Sequence, residues 1–272
     1  MLAAYVQGIG VLGPGLADWA ACAAALRVPG SYHRTGTMIP ALAVLPAAER
    51  RRAGRVVRVA LAVGAEAVAH ARADARCLPS VFTSSGGDGD NCHALCETLA
   101  GTERLISPTR FHNSVHNAAA GYWGIAYGCT QPCTALCAHD ASFGAGLIEA
   151  LSQLAGGAQA VLLVSYDLDY PPPLRAHRAI GDACAVALLL RSAAAAATAT
   201  GPRLRVDFTD APATALTDGA LESLRLEIPA ARALPLLGVL AGGSGGHAVL
   251  DYLEDMRLDV HVDAGAAGEA AP

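Results

Sequence analysis

The sequence predicts an α/β domain in which helices pack on a mostly buried sheet. Two observations carry this. Strand-like apolar runs alternate with segments whose apolar residues recur every three to four positions. The runs, such as Ala160 to Ser165 and Cys184 to Leu190, are apolar almost throughout, as in strands covered on both faces. The composition agrees: of 272 residues, 53% are apolar and 16% charged, enough to bury a full core with none of the polar bias of disorder.

In order along the chain, Ala4 to Val11 reads as the first strand and Asp18 to Leu26 as the first helix. Val56, Val59, Val63 and Ala67 trace the buried stripe of a second helix. Strand Pro79 to Thr83 runs into Ser84-Ser85-Gly86-Gly87-Asp88-Gly89-Asp90, a turn-rich loop without the lysine of a nucleotide-binding loop. Helices Cys92 to Leu99 and Ser114 to Tyr127 follow, then strand Cys133 to Ala138. Helix Ser142 to Leu154 carries its stripe at Phe143, Leu147, Ile148, Leu151 and Leu154 and leads to the strands Ala160 to Ser165 and Cys184 to Leu190. Residues 1–191 therefore read as one domain and the alanine-rich 192–202 as a connector. Residues 203–262 read as a short α/β extension on the same core, with half-exposed strands at Leu204, Val206, Phe208 and at Met256, Leu258, Val260, Val262; residues 263–272 read as a tail.

A net charge of −5 with no basic cluster argues against nucleic acid and anionic membrane as partners, since both require concentrated Lys and Arg. No apolar run approaches a membrane span, and Met1 to Gly10 lacks the basic flank of a secretory signal, so the cytoplasm is the expected address. Eight cysteines diluted over a long apolar chain then read as reduced, mostly buried thiols. Cys92 with Cys96, and Cys129, Cys133 and Cys137, repeat a four-residue spacing, but no second knuckle completes a zinc site. His112 and His116 lie about one helical turn apart with no carboxylate between them and no visible third ligand. Neither a metal centre nor a cofactor is expected.

The stretch Ile106-Ser107-Pro108-Thr109-Arg110-Phe111-His112-Asn113-Ser114-Val115-His116-Asn117-Ala118-Ala119-Ala120-Gly121 resembles the Ile-Ser-Pro…Asn-x-x-Ala-Gly segment of β-ketoacyl synthases. Gly8-Ile9-Gly10-Val11 resembles their opening strand, Val81 to Gly87 their strand with a glycine-rich exit, and Ala160 to Val164 the strand after the nucleophile helix. Together these cover roughly residues 1–190 in the family's order. The resemblance is closest to the short, chain-length-factor-like N-terminal group associated with aryl polyene pigments. It implies a thiolase-like layered α/β/α core, truncated to the N-terminal half plus the short C-terminal extension.

The resemblance also places Pro132 on the family's Gly-Pro step and Asp140 where the condensing enzymes carry their cysteine. A cysteine at a helix N-terminus becomes a thiolate that takes an acyl group; an aspartate cannot do this chemistry in the same way. Asp140 is therefore expected to cap helix Ser142 to Leu154. Cys137, three residues or about 10 Å earlier along an extended strand, is expected to face the other way as a buried thiol. His139 and Asp140, as strand neighbours, should point apart. The family's C-terminal histidine motifs are absent, so no catalytic residue is expected. The implied role is that of a non-catalytic partner of an active β-ketoacyl synthase, with an acyl carrier protein as a second candidate partner. Arg110, Phe111, His112, Ser114, Val115, His116 and Asn117 then read as interface or tunnel-lining residues, or as ordinary helix packing. The alternative is a small acyltransferase or thioester hydrolase using Cys137 or the His139/Asp140 pair.

Overall fold

The computed structural model describes residues 2–195 and 201–263. Strand β1 (Leu2–Leu12) is followed by α1 (Trp19–Arg27), α2 (Ala47–Arg52) and α3 (Arg55–His70), then β2 (Ser80–Thr83), α4 (Gly89–Ala100), α5 (Pro108–His112) and α6 (Ala118–Tyr127). Next come β3 (Cys133–Leu136), α7 (Ser142–Ala155), β4 (Ala160–Asp167), α8 (Pro172–Arg175) and β5 (Cys184–Ser192). The chain continues through β6 (Arg203–Thr209), α9 (Gly219–Glu227), α10 (Leu234–Gly242), β7 (Gly246–Leu250) and β8 (Arg257–Asp263).

All eight strands form one mixed sheet in the order β3-β2-β4-β5-β1-β6-β8-β7. Strand β2 lies parallel to β3 and β4, and every other pairing is antiparallel. The two-residue period of the strands sorts their side chains into two cores. On β5, Val186, Leu188 and Leu190 pack with Leu147, Leu151 and Leu237 on one face, while Ala185, Ala187 and Leu189 pack with Val59, Val63 and Trp123 on the other. Helices thus cover both faces, which explains strands that read as continuous apolar runs. Gly8 and Gly10 let α3 approach β1 closely: a Cβ on either would stand 2.0 or 2.1 Å from the carbonyl oxygen of Ala67 or Val63.

Several expectations change. The helix expected over Ser114 to Tyr127 begins only at Ala118, and a separate short helix precedes it: Ser107 caps α5 with Pro108 in its first turn, and Asn113, which donates its amide to the Arg52 carbonyl, ends α5. The strand at Cys133 ends at Leu136 and, pairing among the described residues only with β2, forms one edge of the sheet. Ser192 belongs to β5, and Ala193–Ala195 forms a 3-10 turn, so the connector begins inside a strand; residues 196–200 of it, and 264–272 of the tail, lie outside the described residues. Beyond it β6 pairs directly with β1, so residues 203–263 extend the same sheet. Phe208 is 57% exposed and stacks on Tyr252 instead of entering the core, while Leu258, Val260 and Val262 are buried. Helix α2 carries Arg50, Arg51 and Arg52, all exposed, with Arg55 and Arg58 following in α3. Arg52 pairs with Glu49, and Arg55 with Asp90 and Asp169, so the local excess of positive charge rests mainly on Arg50 and Arg51.

Candidate functional site

The site is built where β2, β3 and β4 end and α7 begins. The chain leaves β3, passes Cys137 and Ala138, and makes a 3-10 turn at His139–Ala141 before entering α7. His139 has φ +52°, a left-handed conformation uncommon for a residue with a side chain and a mark of strain often held at functional elbows. Buried Ser142 fastens the elbow: its hydroxyl donates to the His139 carbonyl at 2.7 Å and accepts from the Ala138 amide at 3.1 Å.

Asp140 does not cap α7. The N-cap is Ala141, and no side chain bonds there. The Asp140 carboxylate instead turns outward to two guanidinium groups, Arg178 on Oδ1 and Arg232 on Oδ2, the latter at 3.2 Å. Arg232 also reaches Asp251 at 3.0 Å, and Asp251 accepts from Arg225 at 3.0 Å, which in turn holds Glu222 at 2.7 Å. This chain of alternating charges ties the elbow to the 176–180 segment, α9, the turn before α10 and the β7–β8 loop. It draws on residues scattered over more than a hundred positions, so no local motif announces it.

The other two candidates also differ from expectation. Cys137 is exposed, because β3 has already ended, and its thiol donates to the Ser85 carbonyl at 3.2 Å. His139 and Asp140 do not point fully apart, since they sit in a turn and not on a strand. His139 Nδ1 lies 3.6 Å from Asp140 Oδ1, too far for a hydrogen bond, and its side chain is 72% exposed.

Sequence reasoning missed Asp167. It ends β4 fully buried and accepts from the Ser85 amide (2.8 Å), the Ser85 hydroxyl (2.6 Å) and the Ala230 amide (2.9 Å). Desolvation pushes its carboxyl up to about 6, although these hydrogen bonds and the nearby Arg178 charge pull the other way. Asp167 therefore joins the Ser84–Gly87 loop to the turn at 229–233. The signal available was a lone acid ending an otherwise apolar strand.

The seven interface candidates fall together on α5, the turn after it and the start of α6. Phe111 and Val115 are 67% and 54% exposed and, with Ile125 of α6, wall an apolar groove of about 530 Å³. His112 and Asn117 also line the groove, and His112 packs its ring against the edge of Tyr122. Arg110 turns to a neighbouring polar pocket with Arg51 and Arg52, Ser114 is exposed, and His116 is half-buried with Nε2 on the Leu136 carbonyl at 3.0 Å. His112 and His116 are not on one helix. Among the described residues no group of three or more His, Cys, Asp or Glu could hold a metal ion.

A family model for the N-terminal domain of β-ketoacyl synthases matches residues 19–229. The chain belongs to this family. Its thiolase-like fold is seen in three ketosynthase complexes. A chain from the ketosynthase ApeO in complex with its chain length factor ApeC, from Xenorhabdus doucetiae, superposes with TM-score 0.75 at 22% identity, covering 96% of this chain and 100% of that one. A chain of the ishigamide ketosynthase/chain length factor gives 0.73 at 14% identity, over 97% and 99%. A chain of AntDE:AntF, a type II PKS acyl-carrier protein in complex with its ketosynthase bound to the hexaketide, gives 0.73 at 12% identity, also over 97% and 99%. No curated protein matches the sequence. Among its described residues no helix is long and apolar enough to cross a membrane.

Proposed function

We propose that the chain is a non-catalytic, chain-length-factor-like subunit. It pairs with an active β-ketoacyl synthase and helps shape the acyl tunnel in a fatty-acid or polyketide pathway of the aryl polyene type. The observation that carries this reading is that Asp140, which the resemblance puts at the nucleophile position, has both carboxylate oxygens committed to Arg178 and Arg232. A carboxylate so neutralised is a poor nucleophile and a poor base, and an acyl anhydride formed on it would be short-lived. Cys137 does not replace it, because its thiol donates a hydrogen bond to the Ser85 carbonyl, which cannot act as a base to form the thiolate.

Two surfaces fit the assembly. The groove at Phe111, Val115 and Ile125 adjoins the free edge of β3, so a partner can cover apolar surface and complete the sheet together. An interface of the obligate kind buries about 2,000 Å² or more. Arg50, Arg51 and Arg52 offer an acidic carrier protein a charged landing site. The ketosynthase complexes that share the fold lend the assembly weight, and the cytoplasm is its natural setting.

Co-expression with an active β-ketoacyl synthase tests this directly. A stable heterodimer is expected, and replacing Phe111 and Val115 by glutamate should dissolve it while leaving the circular dichroism of the chain intact. A well-behaved monomer in size exclusion and light scattering, with no affinity for any synthase, would overturn the reading.

A further inference from the structure

We propose that the cavity between the Gly86–Gly87 turn, the start of α3 and the α5–α6 connection is a binding site for a small neutral molecule or group bearing a hydroxyl, held between Tyr166 and His116. The cavity measures about 160 Å³ and lies beside the apolar groove, sharing Val115 and Ala118 with it. A cavity of about 150 Å³ suffices for a benzene ring. Val56, Val57, Val115 and Ala118 supply apolar walls.

Tyr166 and His116 each present a polar atom to this space. Tyr166 is 1% exposed, lines the cavity, and its hydroxyl has no hydrogen-bond partner among the described residues. His116 hydrogen-bonds the Leu136 carbonyl through Nε2 at 3.0 Å. Since a carbonyl can only accept, the proton of the neutral ring sits on Nε2 and Nδ1 is an acceptor. Nδ1 stands beside Gly87, where a Cβ would come within 3.2 Å, so the glycine keeps that lone pair open. Of the other polar walls, Asp88 takes the Asn91 amide on Oδ1, Ser114 donates to the Phe111 carbonyl, and Asn113 serves Arg52 and Tyr122, while the second Asp88 oxygen is one more acceptor. A ligand hydroxyl can donate to His116 Nδ1 and accept from Tyr166. With no arginine or lysine on the wall, an anion would find no counter-charge.

The test titrates 4-fluorophenol and fluorobenzene into the 272-residue chain, followed by fluorine NMR. Saturable binding of 4-fluorophenol is expected, at least tenfold tighter than that of fluorobenzene, which has no hydroxyl. Tyr166→Phe should weaken 4-fluorophenol at least fivefold and leave fluorobenzene unchanged. Ala118→Leu, which fills the cavity from its wall, should abolish both and serves if the tyrosine variant does not fold. Equal affinity for the two probes, no saturable binding, or binding indifferent to Ala118→Leu would mean that the cavity holds only water. Binding here needs no partner chain, so such a result leaves the proposed assembly standing.

Discussion

At the scale of single residues, the chemistry of the elbow turns on which acid is buried. Asp140 is open to solvent and shared by two arginines, whereas Asp167 is sealed inside and bound mostly by backbone amides and a serine. Raising the folded-state value of Asp167 to about 6, against about 3.9 in an unfolded chain, has a definite sign. Between about pH 4 and 6 the unfolded state loses this proton first, so stability from this group is complete below pH 4 and falls away as pH rises through 6. The loss should be about 2–3 kcal/mol. Asp167→Asn should remove this slope, seen in urea midpoints measured from pH 4 to 7, at a cost of about 1–3 kcal/mol because the amide would turn an N–H toward the Ala230 amide. Much at this scale was not legible. The pairing of Asp140 with Arg178 and Arg232 depends on tertiary placement, and the strand geometry assumed for Cys137, His139 and Asp140 failed because β3 stops two residues earlier than its apolar pattern suggests.

At the scale of elements, the pattern-bearing segments were the legible ones. The stripe at Val56, Val59, Val63 and Ala67 is buried as expected, yet Val57, Leu61 and Gly64 are buried too, because α3 lies across the sheet and also meets α6. Short, polar α2 and the break between α5 and α6 left no periodic trace. Gly10→Ala should drive a methyl into the α3 backbone and cost about 3 kcal/mol. That corresponds to a fall of about 6–12 °C in melting temperature. Gly219→Ala, whose new methyl meets nothing within 4 Å, should be neutral or stabilise by under about 1 kcal/mol. The two ends of the sheet also differ. At β7, Val249 exchanges hydrogen bonds with Thr214, which covers that edge, while β3 has no strand on its outer side among the described residues. Amide exchange in β3 should therefore be faster than in β4 or β5 in the isolated chain, and should slow when a synthase is bound; unchanged exchange would place the contact elsewhere.

At the scale of the whole molecule, the α/β layering and the family order were readable because buried strands and covering helices each repeat their own period. The fusion of 203–263 into the same sheet was less so, since alternation identifies a strand but not its neighbour. That neighbour is β1, and the pairing sets a timetable. β1 leaves the ribosome before either of its partners and lies inside the sheet, with Ala4 opposite both Ser192 and Leu204. At about 5–20 residues per second, β1 waits about 10–40 s for its partners to be made. Contacts so distant in sequence also make for slow closure once all the parts exist. Nascent chains stalled before β5 has emerged should be cut readily by protease within β1, whereas chains stalled with β6 and β8 outside the tunnel should resist. During that interval an apolar strand stands unpaired, and a cell making this protein would have to shelter it.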